Sequence, residues 1–223
     1  SDADLDLAVE WAALSAFSNA GQRCAAASRL IIFEDIYSKF KKKLLLKTKN
    51  LKLGVTHSSD LGPLINKKQQ AAAINYFEDV RKKNGKIICG GKEGNYSKNL
   101  NGYYIQPTLI ENINIESELS NTEVFAPVAL MYKAKDLDHA IALSNSSEYG
   151  LTGAIHSSSL DNAMRFAHSL RSGVVNINLG TYGSEPPMPF GGFGLSGNGT
   201  REPGVEALDI YSELKNISYT VSK

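Results

Sequence analysis

An α/β fold, built on a largely parallel sheet with flanking helices, is what this sequence predicts, and three observations predict it. Apolar residues recur at helical spacing in some segments and form short β-branched runs in others. The two kinds of segment alternate along the chain, as they do where helices connect parallel strands. The 223 residues, 42% hydrophobic and 21% charged, suffice for one large domain, or a large and a small lobe, with a real core.

Residues 5–19 open the chain as a helix. Leu5, Val9, Ala12, Ala13, Ala16 and Phe17 fall at helical spacing, and Gly21 is placed to stop it. Cys24 therefore lies just past a helix end. Residues 29–33 form a β-branched strand, 36–47 an amphipathic helix, and 66–83 a second helix that stops before Asn84 and Gly85. Strands follow near 86–89 and 104–110. Past Pro127 come strand 128–132, helix 137–144, strand 151–156, helix 160–170 and strand 173–177, so that the core elements make a complete alternating set. Residues 180–204 are dense in Gly and Pro and read as a long irregular loop, a kind that is usually functional. The tail, 210–221, reads as one extended strand without a hairpin partner nearby. It needs an edge elsewhere, in another half of the protein or in another subunit.

Composition excludes several classes. With 24 Lys plus Arg against 23 Asp plus Glu, the formal charge of +1 provides no global field for nucleic acid or an anionic membrane. A small neutral partner is expected instead. Cys24 and Cys89 are too few for a disulfide framework and neither has a His or Cys at metal-ligand spacing, so no metal is expected and the compartment reads as reducing and cytoplasmic. No apolar run approaches the ~18 residues that span a bilayer. The chain opens at Ser1, directly on an Asp-rich helix cap over residues 2–6, as though cut from something longer.

The chemistry concentrates at Phe17, three further residues, then Gly21, Gln22, Arg23, Cys24, Ala25, Ala26, Ala27 and Ser28. A nucleophilic thiol needs a depressed pKa, access, and small neighbours that let a substrate carbon reach its sulfur. Gly21 frees the backbone to turn, and the three alanines leave room. Arg23 either points inward and helps a thiolate or faces solvent. Taken alone, a buried Cys in an Ala-rich turn is the commoner situation.

This segment resembles the cysteine signature of the aldehyde dehydrogenase superfamily, matching every fixed position. The resemblance implies that Cys24 attacks an aldehyde carbon to give a thiohemiacetal, that hydride passes to a nicotinamide, and that water cleaves the resulting thioester. A second match, Glu123, Val124, Phe125, Ala126 and Pro127, is similar to the family's Glu, any residue, Phe, Gly, Pro cofactor segment. It implies NAD or NADP as cofactor, with Glu123 accepting from the nicotinamide ribose hydroxyls and Phe125 packing by the nicotinamide ring; a carboxylate suits a diol and an aromatic edge suits a planar ring. Ala126 departs from the usual Gly and would be strained if its backbone needed positive φ. A third match, Pro189, Phe190, Gly191 and Gly192, leads into Ser196, Gly197, Gly199, Arg201, Glu202 and Gly204. Asn176 and Asn178 precede it, and residues 180–187 correspond to the loop bordering the aldehyde pocket in relatives. Leu61, Gly62, Pro63 and the Gly90, Gly91 turn extend the resemblance over nearly the whole chain.

The fold so implied is a three-layer catalytic domain of the aldehyde dehydrogenase type over 1–208, with a C-terminal oligomerisation strand over 209–223. A homo-oligomer, dimer or tetramer, is expected. An upstream Rossmann-like cofactor domain is expected to be missing, together with the family's general-base Glu and an Asn that helps stabilise the oxyanion. The expected consequence is that the isolated chain is inactive.

Three other patterns invite functional readings and do not support them. Gly192, Gly194 and Gly197 spell a dinucleotide fingerprint, but no buried strand precedes them and no stable helix follows, so they read as a structural loop. The lysines at 39, 41, 42, 43, 47, 49 and 52 lack interleaved aromatics and read as a solvated helix face. His57, His139, His156 and His168 have no metal spacing, and Cys89 ends an apolar strand. The alternative to an aldehyde dehydrogenase is a non-catalytic interaction or oligomerisation module retaining the fold; a cysteine hydrolase lacks a recognisable histidine partner. The aldehyde itself is not readable, although Tyr182, Ser184 and Glu185 make the pocket loop polar, and Arg171 and Arg201 are candidates to meet the carboxylate of a semialdehyde.

Overall fold

The computed structural model describes residues 2–94, 102–183 and 185–221. Ser184 of the pocket loop falls outside them. Four strands form the main sheet in the order β1, β4, β3, β2, where β1 is Arg29–Phe33, β2 Lys86–Cys89, β3 Thr108–Glu111 and β4 Val128–Ala134. β4 runs parallel to both β1 and β3, and only the edge strand β2 is antiparallel.

Helices cover both faces. α1 (Leu5–Phe17) and α2 (Glu34–Asn50) pack on one side, α3 (Lys67–Lys82) and α4 (Glu118–Asn121) on the other. β4 shows how the layers are sorted. Val128, Leu130 and Tyr132 join the core under α3, while Ala129 and Met131 join the core under α1 and α2. Alternate side chains of a strand point to opposite faces, so a strand buried on both sides reads as one apolar run.

Local chemistry sets the helix limits. Asp4 caps α1 by accepting from the amides of Asp6 (3.0 Å) and Leu7 (3.1 Å), and Asn66 caps α3 by accepting from Gln69 (2.9 Å). α2 starts two residues before the expected helix and runs three beyond it. Glu34 and Asp35 sit in its first turn and Lys47 and Lys49 in its last, favourable placements at both ends of the helix dipole. The expected strand 104–110 shortens to β3 because Pro107 has no amide to give the ladder. The lysine face of α2 is partly paired rather than merely solvated: Lys43 bridges to Asp6, Lys47 to Glu10, and Lys41 to Glu111.

The second half adds α5 (Leu137–Asn145), β5 (Tyr149–Gly150), β6 (Thr152–Ile155), α6 (Leu160–Ser169), β7 (Val174–Ile177), β8 (Phe193–Gly194) and α7 (Ala207–Ile210). β6 pairs in parallel with β7, and β5 antiparallel with β8. Here the alternating set is not continuous. A cavity of about 570 Å³ runs between β1 and β6 and touches every residue of both strands. Consecutive strand residues face opposite ways, so a void that touches all of them meets the strand edges. Among the described residues β1 pairs with β4 alone and β6 with β7 alone.

The Gly-rich loop is irregular as expected, apart from β8. A Cβ on Gly197 would lie 2.1 Å from the Gly192 carbonyl oxygen, and one on Gly192 would lie 2.5 Å from Ser196 Cβ. These glycines close a tight loop. Ile210, expected to open the tail strand, instead closes α7, and residues 211–221 make no sheet ladder among the described residues. Leu214, Ile217, Tyr219 and Val221 are exposed there. No helix among the described residues is long and apolar enough to cross a membrane.

Candidate active site around Cys24

α1 ends at Phe17 with Ser18 as its C-cap, and Asn19, Ala20 and Gly21 then take successive left-handed φ values of 54°, 54° and 68°. This reversal throws the chain off the helix end. The next turn, closed by the Ala26 amide on the Arg23 carbonyl (3.0 Å), presents Cys24 exposed near its tip. Ala25 is buried beneath it, and the Ala27 amide donates to the Ser15 carbonyl (3.0 Å), fastening the turn to α1.

Gly21 couples this turn to the second motif. A Cβ there would lie 2.1 Å from the Ala126 carbonyl oxygen and 2.9 Å from the Pro127 nitrogen, both backbone atoms. Only a glycine permits that approach, quite apart from its left-handed φ. Ala126, where the sequence departs from the family, is not the residue at positive φ. Phe125 is, at 53°, so the extra methyl at 126 meets no backbone penalty. A left-handed aromatic residue is strained, and such strain collects at functional sites.

Cys24, Glu123 and Phe125 line the same cavity. The Glu123 carboxylate has no hydrogen bond or ion pair among the described residues, and Phe125 is 39% exposed. A free two-oxygen acceptor beside an exposed ring fits a nicotinamide ribose and its base. The third motif is brought less close. Leu195 and Ser196 reach the cavity wall but Pro189, Phe190, Gly191 and Gly192 do not. Asn176 holds the preceding loop, donating from its side-chain amide to the Gly180 carbonyl (2.7 Å), while Asn178 ties the end of β7 to the segment after β6, donating to the Ser157 carbonyl (3.0 Å).

Three polar side chains position these segments, and two of them, Gln69 and Thr181, escaped sequence reasoning. Gln22 accepts from the Ile65 amide (2.9 Å) and donates to the Pro63 carbonyl (3.3 Å), tying the cysteine turn to the segment before α3. Gln69 donates to the carbonyls of Val124 (2.7 Å) and Phe125 (3.2 Å), clamping the Glu123 segment. Thr181 donates its hydroxyl to the Ala25 carbonyl (2.6 Å) and its amide to Ser15 Oγ (3.1 Å). Gln22 stood inside the matched motif. Gln69 and Thr181 had no signal, because a polar residue on a helix flank or a loop reads as solvent-facing.

Arg23 is among the residues lining the cavity, and its guanidinium lies 4.9 Å from the centroid of the Tyr182 ring, which packs on Trp11 at 6.2 Å. Arg171 and Arg201 lie elsewhere. Arg171 lines a separate cavity with Tyr149 and Phe193, and Arg201 stacks on that same Phe193 ring. His156 lines the main cavity with its Nδ1 buried and unpartnered, and burial lowers its pKa despite a backbone hydrogen bond at Leu179. Burial pushes the Cys89 thiol up, which makes it a poor nucleophile. No group of three metal-ligating side chains exists among the described residues.

Residues 1–217 match the family model described as "Aldehyde dehydrogenase family". The α-ketoglutaric semialdehyde dehydrogenase of Bacillus subtilis (strain 168) is 33% identical over 218 residues, 97% of this chain and 45% of that protein. Aldehyde dehydrogenase 1A1 of Rattus norvegicus is 37% identical over 225 residues, 100% of this chain and 44% of that protein. The crystal structure of betaine aldehyde dehydrogenase from Staphylococcus aureus in complex with NAD+ superposes with a TM-score of 0.91 at 33% identity, covering 95% of this chain and 42% of that one. The chain thus spans a little under half the length of these relatives. By its motifs, its fold and a family match over nearly its whole length, this chain belongs to the aldehyde dehydrogenase family.

Proposed function

We propose that this chain is the thiol-bearing half of an NAD(P)-dependent aldehyde dehydrogenase, with Cys24 as nucleophile. The observation that supports it most is the convergence of Cys24, Glu123 and Phe125 on one cavity, held by the close approach of Gly21 to Ala126. The exposed Cys24 sulfur, with only small side chains following it, adds as thiolate to the aldehyde carbon. Glu123 and Phe125 hold the nicotinamide, which when bound supplies the hydride acceptor. The acyl group left on Cys24 is a thioester, which water cleaves to the carboxylate.

The remaining expectations belong to the same proposal. The facing, unpaired edges of β1 and β6 support a further polypeptide segment completing the domain, alongside the cofactor-binding half. The tail over 211–221, with Leu214, Ile217, Tyr219 and Val221 exposed, serves as an oligomerisation strand in a dimer or tetramer, and two free thiols suit a reducing cytoplasm. The relatives include one named for a carboxylate-bearing semialdehyde and one for a cationic aldehyde.

Replacing Cys24 tests the reading. In the protein joined to its cofactor-binding half, Cys24→Ser is expected to fold and to lose aldehyde-dependent NADH formation, since a hydroxyl of high pKa without a base does not replace a thiolate. Appreciable turnover by the Ser variant would remove Cys24 from the reaction. A fold kept only as an interaction module predicts no turnover in either form and equally sluggish alkylation of Cys24 and Cys89 by iodoacetamide.

A further inference from the structure

Asn84, Asn101 and Asn198 are each followed directly by glycine. Such a pair can react with itself. The glycine nitrogen, once it gives up its proton, can add to the side-chain carbonyl carbon of the asparagine, because no Cβ on the glycine stands in the way. What the fold leaves free decides whether it does so. The Asn101 pair begins outside the described residues, and the other two stand in opposite situations.

Asn84 and Gly85 follow the end of α3. There the Gly85 amide donates to the Val80 carbonyl (2.8 Å) and the Asn84 amide to the Arg81 carbonyl (3.1 Å). Close packing holds the same backbone, since a Cβ on Gly85 would lie 2.4 Å from Ile113 Cδ1 and 2.7 Å from Val80 Cγ1. The nitrogen that would attack is already engaged.

Asn198 and Gly199 lie exposed in the Gly-rich loop. The Gly199 amide has no hydrogen bond among the described residues, and nothing lies within 4 Å of where a Cβ would stand. Asn198 Oδ1 accepts from both the amide (3.0 Å) and the hydroxyl (2.6 Å) of Thr200. A nucleophile that adds to Asn198 Cγ drives negative charge onto this oxygen, and two donors already aimed at it stabilise that charge, as in an oxyanion hole. The fold thus frees the attacking nitrogen and polarises the carbonyl that it attacks.

We propose that Asn198 is a site of self-modification, at which Gly199 displaces ammonia from the Asn198 side chain and water opens the resulting succinimide to aspartate or isoaspartate. In the first step a bond forms between Gly199 N and Asn198 Cγ, the bond from Cγ to Nδ2 breaks, and the proton shed by Gly199 N leaves with the departing ammonia. In the second, water adds to either imide carbonyl and returns the nitrogen to a peptide bond. Both products carry a new negative charge. Isoaspartate also routes the main chain through the side-chain carbon, which lengthens the loop whose Leu195 and Ser196 reach the wall of the Cys24 cavity.

Conversion is followed by peptide mass spectrometry in the chain held at mildly alkaline pH, folded and, in parallel, unfolded in urea. In the folded chain Asn198 is expected to convert about tenfold faster than Asn84, where a hydrogen bond must open first and no donors wait on the side-chain oxygen. In urea the two pairs are expected to convert at similar rates. Thr200→Val, which removes the hydroxyl and keeps the bulk, is expected to slow Asn198 severalfold in the folded chain alone. Equal conversion of the two pairs in the folded chain, or faster conversion at Asn84, overturns the proposal. An Asn198 preference of the same size in urea also overturns it, because the preference would then belong to the flanking sequence and not to the fold. A folded Thr200→Val chain that converts as fast as the parent overturns the role of the Thr200 donors.

Discussion

Replacing Gly21 by alanine probes the contact that assembles the site. The added methyl would begin 2.1 Å from the Ala126 oxygen, 2.5 Å from its carbonyl carbon and 2.9 Å from the Pro127 nitrogen. No rotamer relieves this, since every atom involved is backbone. The cysteine turn and the Glu123 segment must part by roughly 1 Å, overpacking of a kind that costs about 1–3 kcal/mol. Holding alanine at φ 68° adds about 1 kcal/mol. A loss of about 3 kcal/mol lowers Tm by about 6–12 °C in a domain of this size. Gly62→Ala is the control, because its Cβ would meet nothing within 4 Å and its φ is ordinary; it should stay within about 0.5 kcal/mol of the parent. Urea unfolding of the three proteins measures both. A Gly21→Ala protein as stable as the Gly62→Ala control would refute the claim that this approach joins the two motifs.

Three further outcomes are expected. His156 has its pKa lowered by burial, so on acidification the unfolded chain takes up the proton first; the group's contribution is intact above about pH 6.5 and is lost as pH falls toward the folded value. His156→Gln should therefore lose less Tm than the parent between about pH 7.5 and pH 5.5, and equal losses would count against a buried neutral imidazole. Glu111, 8% exposed, accepts from Tyr37 Oη (2.5 Å) and Lys41 Nζ (2.6 Å); burial would raise its pKa, but the Lys41 and Tyr37 hydrogen bonds and the Lys41 charge outweigh that and lower it. Its stabilisation is present above the ordinary carboxylate pKa and lost as pH falls below it, so Glu111→Gln should cost about 1–3 kcal/mol in urea unfolding at neutral pH and less in acid. Finally, the chain should self-associate through its exposed tail; light scattering should show deletion of residues 211–223 shifting it to monomer, and a parent that stays monomeric at high concentration contradicts an oligomerisation strand.

The sequence by itself determined the main helices and strands between 128 and 177, because period, caps and Gly or Pro punctuation agree there: Asp136 and Ser159 each cap the helix that follows them. It also singled out Cys24, Glu123 and Phe125, since short motifs are read without knowing where the chain goes, and the fold brings the three to one cavity. It was less informative wherever a residue's role depends on a distant neighbour. Gly21 was legible as a turn former, but its second role comes from the backbone of Ala126, 105 positions along the chain. The left-handed residue beside it proved to be Phe125, because φ there is imposed by the turn into β4 and not by local preference. Arg171 and Arg201 looked suitable for a carboxylate, and only the folded chain shows that both lie by Phe193 and away from the Cys24 cavity. The open edges between β1 and β6 were invisible too. An apolar run announces a buried strand, but which edge of it finds a partner is settled by the order of strands in the sheet, a property of the whole chain that no local spacing records.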